Sequence, residues 1–89
     1  MTDLMTDLRK RWAAAKRRHP QHLILLRSGD FYEAMDADAS VVAKVLDRRV
    51  TNGLCGIPAW EMDRAVFALV AAGYRVATED SSKITPERG

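Results

Sequence analysis

Apolar and polar positions follow two rhythms along this chain, and the switches between them mark its elements. Leu4, Leu8, Trp12 and Ala15 recur three and four residues apart, which predicts one amphipathic helix over Thr2 to His19. Thr2 or Asp3 can cap its start. Pro20 ends it, because the residue before a proline avoids helical dihedrals. Leu23-Ile24-Leu25-Leu26 is a short unbroken apolar run, as expected of a strand buried on both faces. Gly29-Asp30 then turns or bulges the chain into a second strand, Phe31 to Met35. A second helix starts at Asp36 or Asp38, turns Ala39, Val42, Ala43 and Leu46 inward, and closes at Asp47-Arg48-Arg49. Val50 to Leu54 reads as a short strand, with an Asn52-Gly53 hairpin turn as the alternative. Gly56-Ile57-Pro58 reads as a loop into a third helix, Ala59 to Ala72, whose apolar face is Met62, Ala65, Val66, Leu69 and Val70. Gly73 stops that helix, and Tyr74 to Glu79 alternates as a last strand. The order predicts an α+β (mixed α/β) domain, a small mixed sheet flanked by about three helices. It spans 1–80, and 81–89 reads as a flexible tail.

One strand departs from a simple core pattern. Phe31 and Glu33 share a face, roughly 7 Å apart, and Tyr32 points the other way. If that face were core, Glu33 would be an unpaired acid inside it, which is costly. An open face suits an apolar ring and a hydrogen-bonding group meeting a nucleobase. The plainer alternative is a core Phe31 and a rim charge at Glu33.

Composition narrows the function classes without choosing among them. A chain of 89 residues makes one domain, and 47% hydrophobic content suffices for one core. The net charge of +2 is no nucleic-acid signature by itself, so placement matters more than sum. Lys16, Arg17 and Arg18 crowd the end of the first helix, where cations suit either the helix dipole or a phosphate. Single Cys55 excludes an internal disulfide and fits a cytoplasmic setting, and no apolar run approaches the roughly 20 residues of a membrane span. The acidic start of the chain does not read as a secretion signal. No Gly-rich loop ends in Gly-Lys-Ser/Thr, His19 and His22 lack a third ligand, and neither Cys55 nor any serine pairs with a base. Neither an enzyme nor a cofactor or metal site is expected, and no nucleotide is expected to bind.

His19-Pro20, the run Leu25-Leu26-Arg27-Ser28-Gly29-Asp30-Phe31-Tyr32-Glu33, Leu46-Asp47, Gly56-Ile57-Pro58 and Gly73 to Glu79 occur in an order that resembles the N-terminal mismatch-recognition domain of the MutS DNA repair proteins. The resemblance implies a MutS domain I-like fold and double-stranded DNA, mismatched or distorted, as partner. It implies that Phe31 stacks on a mispaired base from the minor-groove side and that Glu33 hydrogen-bonds that base. An ionised Glu33 beside a base and near phosphates is disfavoured, so a raised pKa that lets it donate is expected on physical grounds. Arg27, Lys16, Arg17, Arg18 and Arg48 are the candidate phosphate contacts. Trp60 is either a second stacking group or core. Members of that family also carry connector, lever, clamp and ATPase domains, so this chain reads as the recognition domain without its ATPase, binding weakly or acting through a larger repair protein. The segment from Arg49 to Cys55 is shorter than usual, the family's last strands are largely missing after Asp80, and Ala59-Trp60 stands where an aromatic and a polar residue are common. Two other readings are a protein-interaction module that keeps the fold and a single-strand or RNA-binding domain.

Overall fold

A computed structural model describes residues 4–80. The elements run α1 (Leu4–Arg18), β1 (His22–Ser28), β2 (Phe31–Met35), α2 (Asp36–Leu46), β3 (Leu54–Pro58), a 3-10 turn (Ala59–Glu61), α3 (Met62–Ala71) and β4 (Arg75–Glu79). The predicted order of helices and strands is the observed one. The proposed cap at Thr2 or Asp3 and the tail 81–89 lie outside the described residues.

The strands form one mixed sheet in the order β3-β2-β1-β4. β2 is antiparallel to β1 and β3, while β4 returns parallel to β1 after the α3 crossover. The fold is α+β, as predicted. Both faces of β1 are covered, which explains its unbroken apolar run. On one side Leu23 and Leu25 join Ala34, Val42, Ile57 and Leu69 beneath α2 and α3. On the other, Ile24, Leu26 and Met35 meet Leu8 and Ala15 of α1.

Several local expectations change. The strand placed at Val50–Leu54 lies four residues later, at Leu54–Pro58, so Gly56-Ile57-Pro58 is strand and not loop. The reason is the Asn52-Gly53 pair: both residues take positive φ (54° and 77°), the primed-turn geometry, and close a hairpin between Thr51 and Leu54. Pro58 is tolerated because β3 is an edge strand. Neither Asp36 nor Asp38 caps α2 through its side chain; Met35 holds the cap position. Asp38 is instead buried. Leu4 of the α1 stripe is exposed, and so is Val70 of the α3 face, because α3 reaches the core through a narrow seam of Ala65 and Leu69.

Candidate nucleic-acid interface

The β1–β2 hairpin turns at Gly29-Asp30, where Gly29 takes φ +62°. The register places Leu26 opposite Glu33 and Ser28 opposite Phe31, and β3 sets Gly56 beside Glu33 and Pro58 beside Phe31. Phe31, Glu33 and Met35 therefore share the α1 side of the sheet, and Tyr32 and Ala34 the other. α1 covers Met35 completely but stops short of the hairpin, so Phe31 is left 46% exposed. Asp30 joins the far end of β3 by accepting a 2.8 Å hydrogen bond from the Ala59 N–H.

Glu33 lies over Gly56. A methyl group at position 56 would sit 3.0 and 3.1 Å from the two carboxylate oxygens, so the missing side chain makes room for the acid. Glu33 has no hydrogen bond or ion pair among the described residues. Partial burial pushes its pKa up from the ordinary glutamate value. An open groove of about 410 Å³ runs along it, lined by Phe31, Glu33, Arg49, Thr51, Asn52 and Gly56 among others. On the other flank of Phe31 a second groove, about 440 Å³, is lined by Asp30, Pro58, Ala59 and Trp60. Trp60, in the 3-10 turn after Pro58, is 80% exposed, so the core reading of this residue is wrong.

The basic candidates lie elsewhere and are mostly engaged within the domain. Lys16 donates to Asp38 Oδ1 at 3.0 Å and to the His22 carbonyl at 2.7 Å. Arg18 meets Glu79 at 3.3 Å, and Arg48 is ion-paired with Glu61. Arg27 donates to the Gly29 carbonyl at 2.6 Å and lies over the Tyr32 ring. Tyr32 first, and Asp80 and Asp30 to a lesser degree, hold the Arg27 guanidinium further toward its charged form, against a smaller opposing effect of burial. Arg17 is exposed and has no ion pair or hydrogen bond among the described residues. Cys55 is buried in the core under α2 and α3, and burial pushes its thiol pKa up, away from reactivity. Among the described residues no group of three or more His, Cys, Asp or Glu could hold a metal ion, and no helix is long and apolar enough to cross a membrane.

The family model for MutS domain I matches residues 6–88. The chain belongs to the MutS domain I family. It is 34% identical over 87 residues to the DNA mismatch repair protein MutS of Thermosipho melanesiensis, an alignment that covers 89% of this chain and 11% of that protein. The MutS of Methanosarcina mazei is 37% identical over 87 residues, covering 86% of this chain and 10% of that protein. The MutS of Thermotoga maritima is 38% identical over 80 residues, with 85% and 10% covered. The chain thus spans about a tenth of the length of these curated relatives.

Within this MutS domain, sequence reasoning found the Phe31 and Glu33 pair because a period of two assigns faces without knowledge of the fold. It missed Arg49 and the reason for Gly56. The glycine was visible only as half of Gly-Ile-Pro; that it faces Glu33 depends on which residue pairs across two strands. Trp60 carried a usable signal, since it lies off the Met62-Ala65-Leu69 seam.

Proposed function

We propose that this domain binds mismatched or otherwise distorted duplex DNA, with Phe31 entering the minor groove as a wedge and Glu33 hydrogen-bonding the base that Phe31 displaces. The observation that carries this reading is the open corner of the sheet. There a half-exposed ring and an acid without an internal partner face the same way, over a glycine that gives the acid its room. Unstacking a base step costs a few kcal/mol, and the cost is least where pairing is already faulty. Deformability of the duplex is then the quantity read. The upward push on the Glu33 pKa supports a carboxyl that takes a proton near a base and donates a hydrogen bond. Recognition of this kind uses no metal, no cofactor and no nucleotide hydrolysis by these residues, so the domain acts as a reader and not as an enzyme.

A second reading, docking on a larger repair protein, is favoured by one separate observation. Phe67 and Val70 are exposed on α3, on the opposite side of the sheet from Phe31 and Glu33, and Tyr74 beyond the helix is exposed with them. Fluorescence anisotropy with a homoduplex, a G·T duplex and a duplex with one unpaired base separates the two. Tighter binding to both distorted duplexes, lost in Phe31→Ala, is the expected result. Equal binding to all three that does not depend on Phe31 would refute the wedge, and absence of binding at low salt would favour the docking module.

A further inference from the structure

The positive charge that serves the Phe31 and Glu33 corner is not where the basic clusters of the chain suggest. A duplex that brings a base to Glu33 also brings its backbone phosphate close to a carboxyl group, so the site needs a cation on its rim. Lys16, Arg18 and Arg48 are ion-paired inside the domain. Arg9, which reaches toward the start of α2, is held by Asp36 at 3.0 Å. Arg11 donates to the Arg27 carbonyl at 2.9 Å.

Arg48 and Arg49 are neighbours in sequence and part company in space. α2 ends at Asp47 in the left-handed conformation, and the chain then leaves the helix without regular structure. Arg48 is ion-paired with Glu61, and with it lines a depression formed by Leu46, Arg64, Ala65 and Ala68 on the α2 and α3 side. Its charge is felt there by the Cys55 thiol. Arg49 instead lines the opposite groove together with Phe31, Glu33, Thr51 and Asn52. It is exposed and has no hydrogen bond or ion pair among the described residues.

We infer that Arg49 is the phosphate anchor of the recognition corner: it holds the backbone phosphate of the nucleotide that Phe31 and Glu33 read, a role Arg48 does not share. This rests on the DNA-binding reading above and adds to it a residue and a direction for the strand, along β3 toward the Thr51–Leu54 hairpin. Thr51 and Asn52, both exposed on the same rim, offer neutral hydrogen bonds to the same backbone.

The test is the salt dependence of binding by the full chain to a duplex with one unpaired base. Each phosphate neutralised contributes about 0.9 to the slope of log affinity against log salt. Arg49→Gln is expected to flatten the slope by about that amount and to weaken binding several-fold at low salt, with the thermal midpoint unchanged. Arg49→Lys should restore the slope. Arg48→Gln should leave the slope unchanged and lower the midpoint, since it breaks an internal pair. An unaltered slope in Arg49→Gln, or an equal flattening in Arg48→Gln, would overturn the inference while leaving Phe31-dependent binding in place. If the wild-type chain bound no duplex at all, the DNA-binding reading itself would fall, and the inference with it.

Discussion

The end of α1 and the open corner of the sheet are both rich in polar groups, and they spend them in opposite ways. At the end of α1, Asp38 is buried and fully used: Oδ2 accepts from Trp12 Nε1 at 3.1 Å and from the Ile24 N–H at 3.1 Å, and Oδ1 accepts from Lys16 at 3.0 Å. One carboxylate thereby ties α1, β1 and α2 together. At the corner, Glu33 and Arg49 have no such partners among the described residues, and Phe31 stands half outside the core. A polar group satisfied inside the protein has little left to offer a ligand; one held out of its best solvent environment without a partner is a place where a ligand gains. Local charge density in the sequence pointed to the first region. The unmet valences point to the second.

The largest effect expected from breaking this contrast is on stability, at the satisfied site. Asp38→Ala leaves Trp12 Nε1 and the Ile24 N–H without their acceptor and Lys16 with only the His22 carbonyl, and should cost about 3 to 5 kcal/mol in urea unfolding, a large share of the stability of so small a domain. Phe31→Ala reverses the pattern. Stacking on a base is worth roughly 1–3 kcal/mol, so the preference for a duplex with an unpaired base should fall about tenfold or more while the unfolding midpoint barely moves. Gly56→Ala should shift stability by less than about 1 kcal/mol, because the group it crowds is the free end of the Glu33 side chain, yet it should reduce discrimination against homoduplex by displacing that carboxylate.

The smallest effect is in the pH dependence. Glu33 has a folded pKa raised above its unfolded value, so its protonated form is the one the fold favours. Its contribution to stability is fully present below the unfolded value and is lost as pH rises through the folded one. Partial exposure holds the amount below about 1 kcal/mol. Glu33→Gln should remove this trend and be slightly more stable than wild type at neutral pH, as thermal melts at several pH values would reveal. In binding, wild-type affinity for the distorted duplex should strengthen as pH falls from about 8 to about 5, and Glu33→Gln should be flat over that range.

Short-range physics made much of this protein legible from its residues. The period of α1, the apolar run of β1, the Gly29-Asp30 turn and the alternation in β2 each depend on a few consecutive residues, and each was found as expected. The Asn52-Gly53 turn shows where that reasoning thins. Strand and hairpin were both consistent with the local pattern, and the pairing of Thr51 with Leu54 decided for the hairpin. Asp38 shows it more sharply. At a helix start an aspartate is first of all a cap, and only the packing of Trp12 and Lys16 of α1 against it, more than twenty residues away in sequence, makes it the buried centre of a network.

The sequence by itself determined the order of the elements, most of their bounds and the shared face of Phe31 and Glu33, because helical and strand periodicities are properties of neighbouring residues. Only the tertiary structure decided that α1 leaves that face open, that Gly56 lies under Glu33, and that Arg48 and Arg49 serve opposite sides of the sheet. Those facts follow from strand register and from which charges find partners at long range, and neither is written in the spacing of residues along the chain.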